Sequence, residues 1–123
     1  MTDNSFAKRT RQYRLSNGIR VLVLENHANP TVSVSGYLRA GRFFSPAGKD
    51  RVAGITAGML NKGTARRSKL DIAEALESTG ARAGISSSTF YVSIMGQALS
   101  RDLDLIVSIL SEQLREPTFP QEE

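Results

Sequence analysis

Leu103, Ile106, Val107, Leu110 and Leu114 recur at i, i+3, i+4, i+7 and i+11, a one-sided stripe that is stable as a helix only against another apolar surface. Ser100 stands at the start as the expected N-cap. Pro117 and Pro120 end the segment, since proline lacks the N–H that would continue a helix. The covering surface is supplied just upstream. Between Phe90 and Ala98, Phe90, Val92 and Ile94 alternate with Tyr91, Ser93 and Met95, the two-residue period of a strand.

The rest of the chain fits the same plan. Arg11 to Leu15 reads as a strand, and Ser16-Asn17-Gly18 as a hairpin turn whose Asn-Gly pair tolerates positive φ. Ile19 to Glu25 is the return strand, and its run Val21-Leu22-Val23-Leu24 predicts cover on both faces. After a turn at Asn26 to Pro30, Thr31 to Arg39 sets Val32, Val34 and Leu38 against Ser33, Ser35 and Tyr37, with Gly36 interrupting the apolar side. Gly41 to Asp50 reads as a loop. Arg51 to Asn61 carries Val52, Ile55 and Met59 at helical spacing, with Gly63 as the expected terminator. Ser68 and Asp71 form a capping-box pattern opening a helix to about Thr79, with Leu70, Ala73 and Leu76 inward and Gly80 as the stop. Ala81 to Ser86 is a further strand, joined to the one at Phe90 by a turn at Ser87-Ser88. The order β-β-β-α-α-β-β-α predicts an α+β fold, a two-layer sandwich of a mostly antiparallel sheet with helices packed on one face.

At 123 residues the chain holds one domain at most. No apolar run approaches the roughly 20 residues of a membrane span, and the first ten residues lack the apolar core of a secretory signal. Bacterial periplasm and cytoplasm both stay open as compartments. With no cysteine, disulfide and thiol chemistry are excluded. The net charge of +4 has two sources: Lys8, Arg9, Arg11 and Arg14, and then Lys62, Arg66, Arg67 and Lys69. Each group reads as a solvated surface or as a binder of an anionic partner.

Little else offers chemistry. His27 is the only histidine and sits in a turn between Asn26 and Ala28, whereas zinc requires several N, S or O ligands. Ser86, Ser87 and Ser88 lack an evident base to activate a nucleophile. Glu74 with Glu77, and Asp102 with Asp104, read as exposed helix faces, the latter pair in a first turn where the helix dipole favours anions. There is no phosphate-binding glycine loop. The basic residues lack the aromatic interleaving of a nucleic-acid platform, so no nucleic-acid partner is expected.

One segment carries more. Arg51 to Thr64 reads Arg-Val-Ala-Gly-Ile-Thr-Ala-Gly-Met-Leu-Asn-Lys-Gly-Thr. It resembles the zinc-binding His-x-x-Glu-His helix of the insulinase/pitrilysin-type peptidases, a group that includes the mitochondrial processing peptidases. Aligned on Met59, Lys62, Gly63 and Thr64, the segment puts Gly54 and Gly58 at the two histidine positions and Ala57 at the glutamate, so that Gly54-Ile55-Thr56-Ala57-Gly58 replaces the motif. Other steps resemble the same family: Leu15-Ser16-Asn17-Gly18-Ile19-Arg20-Val21, Pro30-Thr31-Val32-Ser33-Val34, Arg39-Ala40-Gly41, Leu76-Glu77-Ser78-Thr79-Gly80-Ala81 and Thr89-Phe90-Tyr91. Together they span about Arg11 to Phe119.

The resemblance implies the N-terminal part of a peptidase-like domain over 11–119, preceded by a flexible segment over 1–10 and truncated at 120–123. The family's third zinc ligand is a glutamate further downstream, and Glu122 and Glu123 come too early for it. It also implies a catalytically inactive domain with no metal of its own, zinc being expected only in an active partner domain of the same family, in the same chain or a second subunit. That domain would support the active one or close a proteolytic chamber. The alternative is a standalone binding or assembly module similar to core subunits of a respiratory complex. A candidate peptide-binding strand edge, placed by order, comprises Ala83, Gly84, Ile85, Ser86, Ser87, Ser88 and Thr89, since strand addition uses backbone groups and survives loss of the metal. Self-association of the fragment through uncovered surfaces is a further expectation.

Overall fold

The structure is a computed structural model that describes residues 6–123. Part of the N-terminal segment expected to be flexible lies outside the described residues. In the rest of it, Phe6–Arg9 form a short helix, α1, and Thr10 belongs to a strand.

Strands β1 (Thr10–Arg14) and β2 (Arg20–Leu24) form an antiparallel hairpin, closed by the turn at Asn17-Gly18 with Gly18 at φ 89°. Strands β3 (Thr31–Leu38), β4 (Arg82–Ser87) and β5 (Val92–Leu99) form a second antiparallel sheet in the order β3-β5-β4. The hairpin is a sheet of its own and does not pair with β3. This changes the reading of β2: Leu22, Val23 and Leu24 are exposed rather than covered on both faces, and among the described residues β2 pairs with β1 alone.

The helices are α2 (Val52–Leu60), α3 (Lys69–Thr79) and α4 (Leu103–Arg115). They cover one face of the three-stranded sheet, forming the expected two layers. Val32 and Val34 of β3, Ala83 and Ile85 of β4, and Val92, Ile94 and Ala98 of β5 meet Ala57, Leu60, Leu76, Ile106, Leu110 and Leu114. Gly96, at the middle of β5, allows α4 to sit close. A Cβ there would lie 3.2 Å from Ile106 Cδ1 and 3.3 Å from Leu110 Cδ1.

Three helix faces differ from the pattern expected of them. In α4 the buried residues are Ile106, Ile109, Leu110, Glu112 and Gln113, while Val107 is exposed. The helix packs on two sides, against the sheet and against the loop after α2, so its buried arc turns toward Ile109 and Gln113. Ser100 is not its cap. The Ser100 N–H donates to Pro30 O at 2.9 Å, and a 3₁₀ turn over Ser100–Asp102 comes before the helix proper. In α3, Ile72 is buried with Ala75, Leu76 and Thr79 half-buried beside it, whereas Leu70 and Ala73 face solvent. Its ends match the sequence. Ser68 and Asp71 form the reciprocal capping box, and Gly80 stops the helix at φ 66°. In α2, Ala57 is buried while Val52 and Ile55 are exposed. That helix ends at Asn61, ahead of Gly63.

Candidate functional site

The geometry of α2 decides what the degenerate motif can do. Gly54 and Gly58 lie one turn apart on its exposed side, and a Cβ at either would meet nothing within 4 Å. Ala57, a neighbour of Gly54 on the helix surface, lies where that side meets the core. It is 2 % exposed and belongs to the apolar cluster with Ile85, Val92 and Leu110. Neither hydrogen atoms nor a methyl group can ligate zinc, whose protein ligands are N, S or O atoms, so these residues do not fit the family's metal. Among the described residues there is no group of three or more His, Cys, Asp or Glu that could hold a metal ion.

The tail of the motif has a structural explanation of its own. Gly63 has φ 150°, and Thr64, 6 % exposed, organises the loop that follows. The Thr64 hydroxyl donates to Glu112 Oε2 at 3.2 Å and accepts from the N–H groups of Arg66 and Arg67 at 3.2 and 3.0 Å. That turn sets the Arg67 guanidinium on the Glu112 carboxylate. Burial pushes the Glu112 carboxyl up, but Arg67, Ser108 and Thr64 outweigh it and hold the group below its usual range. The other cations of the second basic cluster are paired as well. Arg66 meets Glu116 at 3.1 Å, and Lys62 and Lys69 share the Glu123 carboxylate at 3.0 and 2.9 Å. This cluster is a set of internal ties, not a free anion-binding surface.

The candidate peptide-binding edge over Ala83, Gly84, Ile85, Ser86, Ser87, Ser88 and Thr89 falls on β4 and the loop after it. Pairing to β5 covers Arg82–Ser87 on one side. On the other side the Asn61 carboxamide accepts from Ile85 N–H at 3.0 Å and donates to Ile85 O at 2.8 Å. Ser88 and Thr89 lie in the β4–β5 loop, where their carbonyls accept from the N–H groups of Arg42 and Phe43 at 3.0 and 2.7 Å. Gly41 permits that approach. A Cβ on it would come within 2.5 Å of Tyr91 N and 2.6 Å of Thr89 O. By strand alternation, only Ala83 and Ser87 keep their edge-facing backbone groups clear of these bonds.

The sheet face opposite the helices is open. Ser33, Ser35, Gly84, Ser86, Met95 and Gln97 line a shallow trough of about 560 Å³, with Arg82 at its margin. At the other end of the sheet an aromatic group is exposed: Phe43 lies 5.4 Å from both Phe44 and Phe90, and Tyr37 lies 6.2 Å from Tyr91. His27 is exposed, 3.7 Å from Glu25. Glu74, Glu77 and Asp104 are exposed, while Asp102 is half-buried at the N-cap of α4 without a side-chain capping bond. Among the described residues no base bonds to Ser86, Ser87 or Ser88, the Ser87 and Ser88 hydroxyls donating to the backbone carbonyls of Ser88 and Tyr91. Sequence reasoning missed Asn61, Gly41 and Glu112. The signal for two of them was present, a polar amide at a helix end and a carboxylate interrupting an apolar stripe.

Comparison with known proteins bears on this geometry. A family model described as Insulinase (Peptidase family M16) matches residues 20–123. The chain is 31 % identical over 109 residues to the mitochondrial-processing peptidase subunit alpha-1 of Dictyostelium discoideum, covering 89 % of this chain and 16 % of that protein. It is also 31 % identical over 109 residues to the subunit beta of Mus musculus, covering 89 % of this chain and 22 % of that protein. The chain thus spans about a fifth of the length of these relatives. The crystal structure of a peptidase M16 inactive domain from Pseudomonas fluorescens superposes with a TM-score of 0.84 at 24 % identity, over 92 % of this chain and 28 % of that one. At that identity the likeness is one of fold. No described helix is long and apolar enough to cross a membrane.

Proposed function

Because the chain belongs to the insulinase (M16) family of zinc metallopeptidases, we infer that it is a catalytically inactive domain of that family, supporting an active partner domain and closing the chamber in which the partner works. One observation carries this reading. The positions that would hold the zinc and the general base are Gly54, Gly58 and Ala57, two glycines facing solvent and one alanine buried in the core. The open serine-lined sheet face supports the role of a wall, since it is polar and shaped by small side chains. The exposed rings of Tyr37, Phe43 and Phe90 supply apolar area for packing on a partner, aromatic residues being enriched in such interfaces. The partner would be an active domain of the same family, in the same chain or a second subunit, and zinc would reside there. Zinc titration of the purified chain by calorimetry, with peptide hydrolysis followed in parallel, tests the reading. No stoichiometric site and no cleavage are expected. A tight one-to-one site whose removal by chelator abolishes hydrolysis would overturn it.

A further inference from the structure

An edge strand carries unpaired N–H and C=O groups that can pair with any extended chain. In β4 those groups belong to alternate residues, Ala83, Ile85 and Ser87, and the middle one is already served. The Asn61 carboxamide gives Ile85 both an acceptor at 3.0 Å and a donor at 2.8 Å, the two bonds that one residue of an added antiparallel strand would exchange with it. The second hydrogen of the same amide donates to Ala57 O at 2.9 Å. Every polar direction of the group that the site can use is therefore filled, and turning the amide over would set its oxygen against two carbonyls. Asn61 is anchored from behind by the last turn of α2. Ile85 in turn is fixed by its own side chain, 6 % exposed among Ala57, Val92 and Leu110.

We propose that Asn61 is a built-in plug of the β4 edge, a specificity-determining residue that prevents this domain from taking up an extended peptide by strand addition. A strand entering beside β4 must have both bonds to Ile85, because they lie between the only two residues left open, Ala83 and Ser87. With Asn61 in place it meets a side chain there and is held at neither flank by more than a single residue. Discrimination of this kind works by an obstructing element, not by loss of attraction. The proposal stands on these hydrogen bonds and does not depend on whether the domain hydrolyses peptides.

The test compares the whole chain with Asn61→Ala and with Asn61→Ser, both of which withdraw the side chain from the edge and remove its bonds to Ile85. The probe is a blocked peptide of alternating Thr and Val with Lys at each end, titrated to millimolar concentration while backbone amides are followed by NMR. The wild-type spectrum is expected not to change. Both variants are expected to show saturable shifts centred on Ala83, Ile85 and Ser87, and amide exchange at Ile85 at least about tenfold faster without peptide, as for an opened hydrogen bond. Equal peptide-induced shifts at those amides in the wild type would overturn the proposal. So would variants that stay folded, expose Ile85 and still bind nothing. If both variants lose the dispersed spectrum of a folded chain, the proposal also fails, and Asn61 is a staple of the fold alone.

Discussion

The Arg67 guanidinium is paired with the Glu112 carboxylate 45 residues further along the chain, joining the loop after α2 to the buried side of α4. Glu112 is 6 % exposed, whereas the Arg67 side chain keeps contact with water. The two partners are thus unequal. Removing the arginine strands a buried charge, and removing the carboxylate frees a cation that water can solvate. Arg67→Ala is expected to destabilise the fold by about 3 kcal/mol, and Glu112→Gln by clearly less, as measured by urea denaturation at neutral pH.

The same pair sets a pH dependence. The carboxyl of Glu112 is held below its ordinary value of 4.5 in the folded chain. A group depressed on folding contributes stability that is fully present above the unfolded pKa and is lost as pH falls through the lower folded value. Urea midpoints taken from pH 6 down to pH 3 are expected to fall, and to fall less steeply in Glu112→Gln. Parallel curves for the two proteins would refute the assignment, because Asp71 and Glu123 are also depressed and remain in both.

The bare positions of α2 make an opposite prediction. A Cβ at Gly54 or Gly58 enters open space, and neither residue has positive φ. Gly54→Ala and Gly58→Ala are each expected to stabilise the isolated chain by about 0.5–1 kcal/mol, read as a higher urea midpoint. A loss of stability at either position would show that a neighbour closes on that face.

Ala57 behaves differently from the two glycines between which it lies. Glu placed there would put a carboxylate among Ile85, Val92 and Leu110. Ala57→Glu is expected to cost about 3 kcal/mol or more, while Gly54→His and Gly58→His keep the fold, by thermal unfolding of each single variant. Rewriting the family motif onto this helix would therefore damage the core before it built a metal site.

Much of this architecture was legible from local signals. The Asn17-Gly18 turn, the Ser68–Asp71 box and Gly80 each act within a few residues, and each is found where the sequence puts it. The alternation of Val32 with Ser33 and of Ile94 with Met95 placed the sheet's two faces for the same reason. What could not be read depends on residues distant in the chain. Val107 looks like core until the Thr64–Arg67 loop is seen to cover the other side of α4. Leu22 and Leu24 look like core although nothing described covers them. Lys62 and Lys69 look like an open basic patch until Glu123 is seen between them. The absence of metal ligands was plain at Gly54 and Gly58. The inward turn of Ala57 and the capture of Ile85 by Asn61 were not, because both depend on how α2 is rotated against β4.

Gly96 gives the helical layer its fulcrum. With only a hydrogen atom between β5 and the facing side chains of Ile106 and Leu110, α4 rests almost on the main chain there. Glu112 rides on the arm beyond it. A methyl group added at residue 96 would act like a shim under a lever, with its effect felt less in the core than at the far end, where a carboxylate must still reach an arginine.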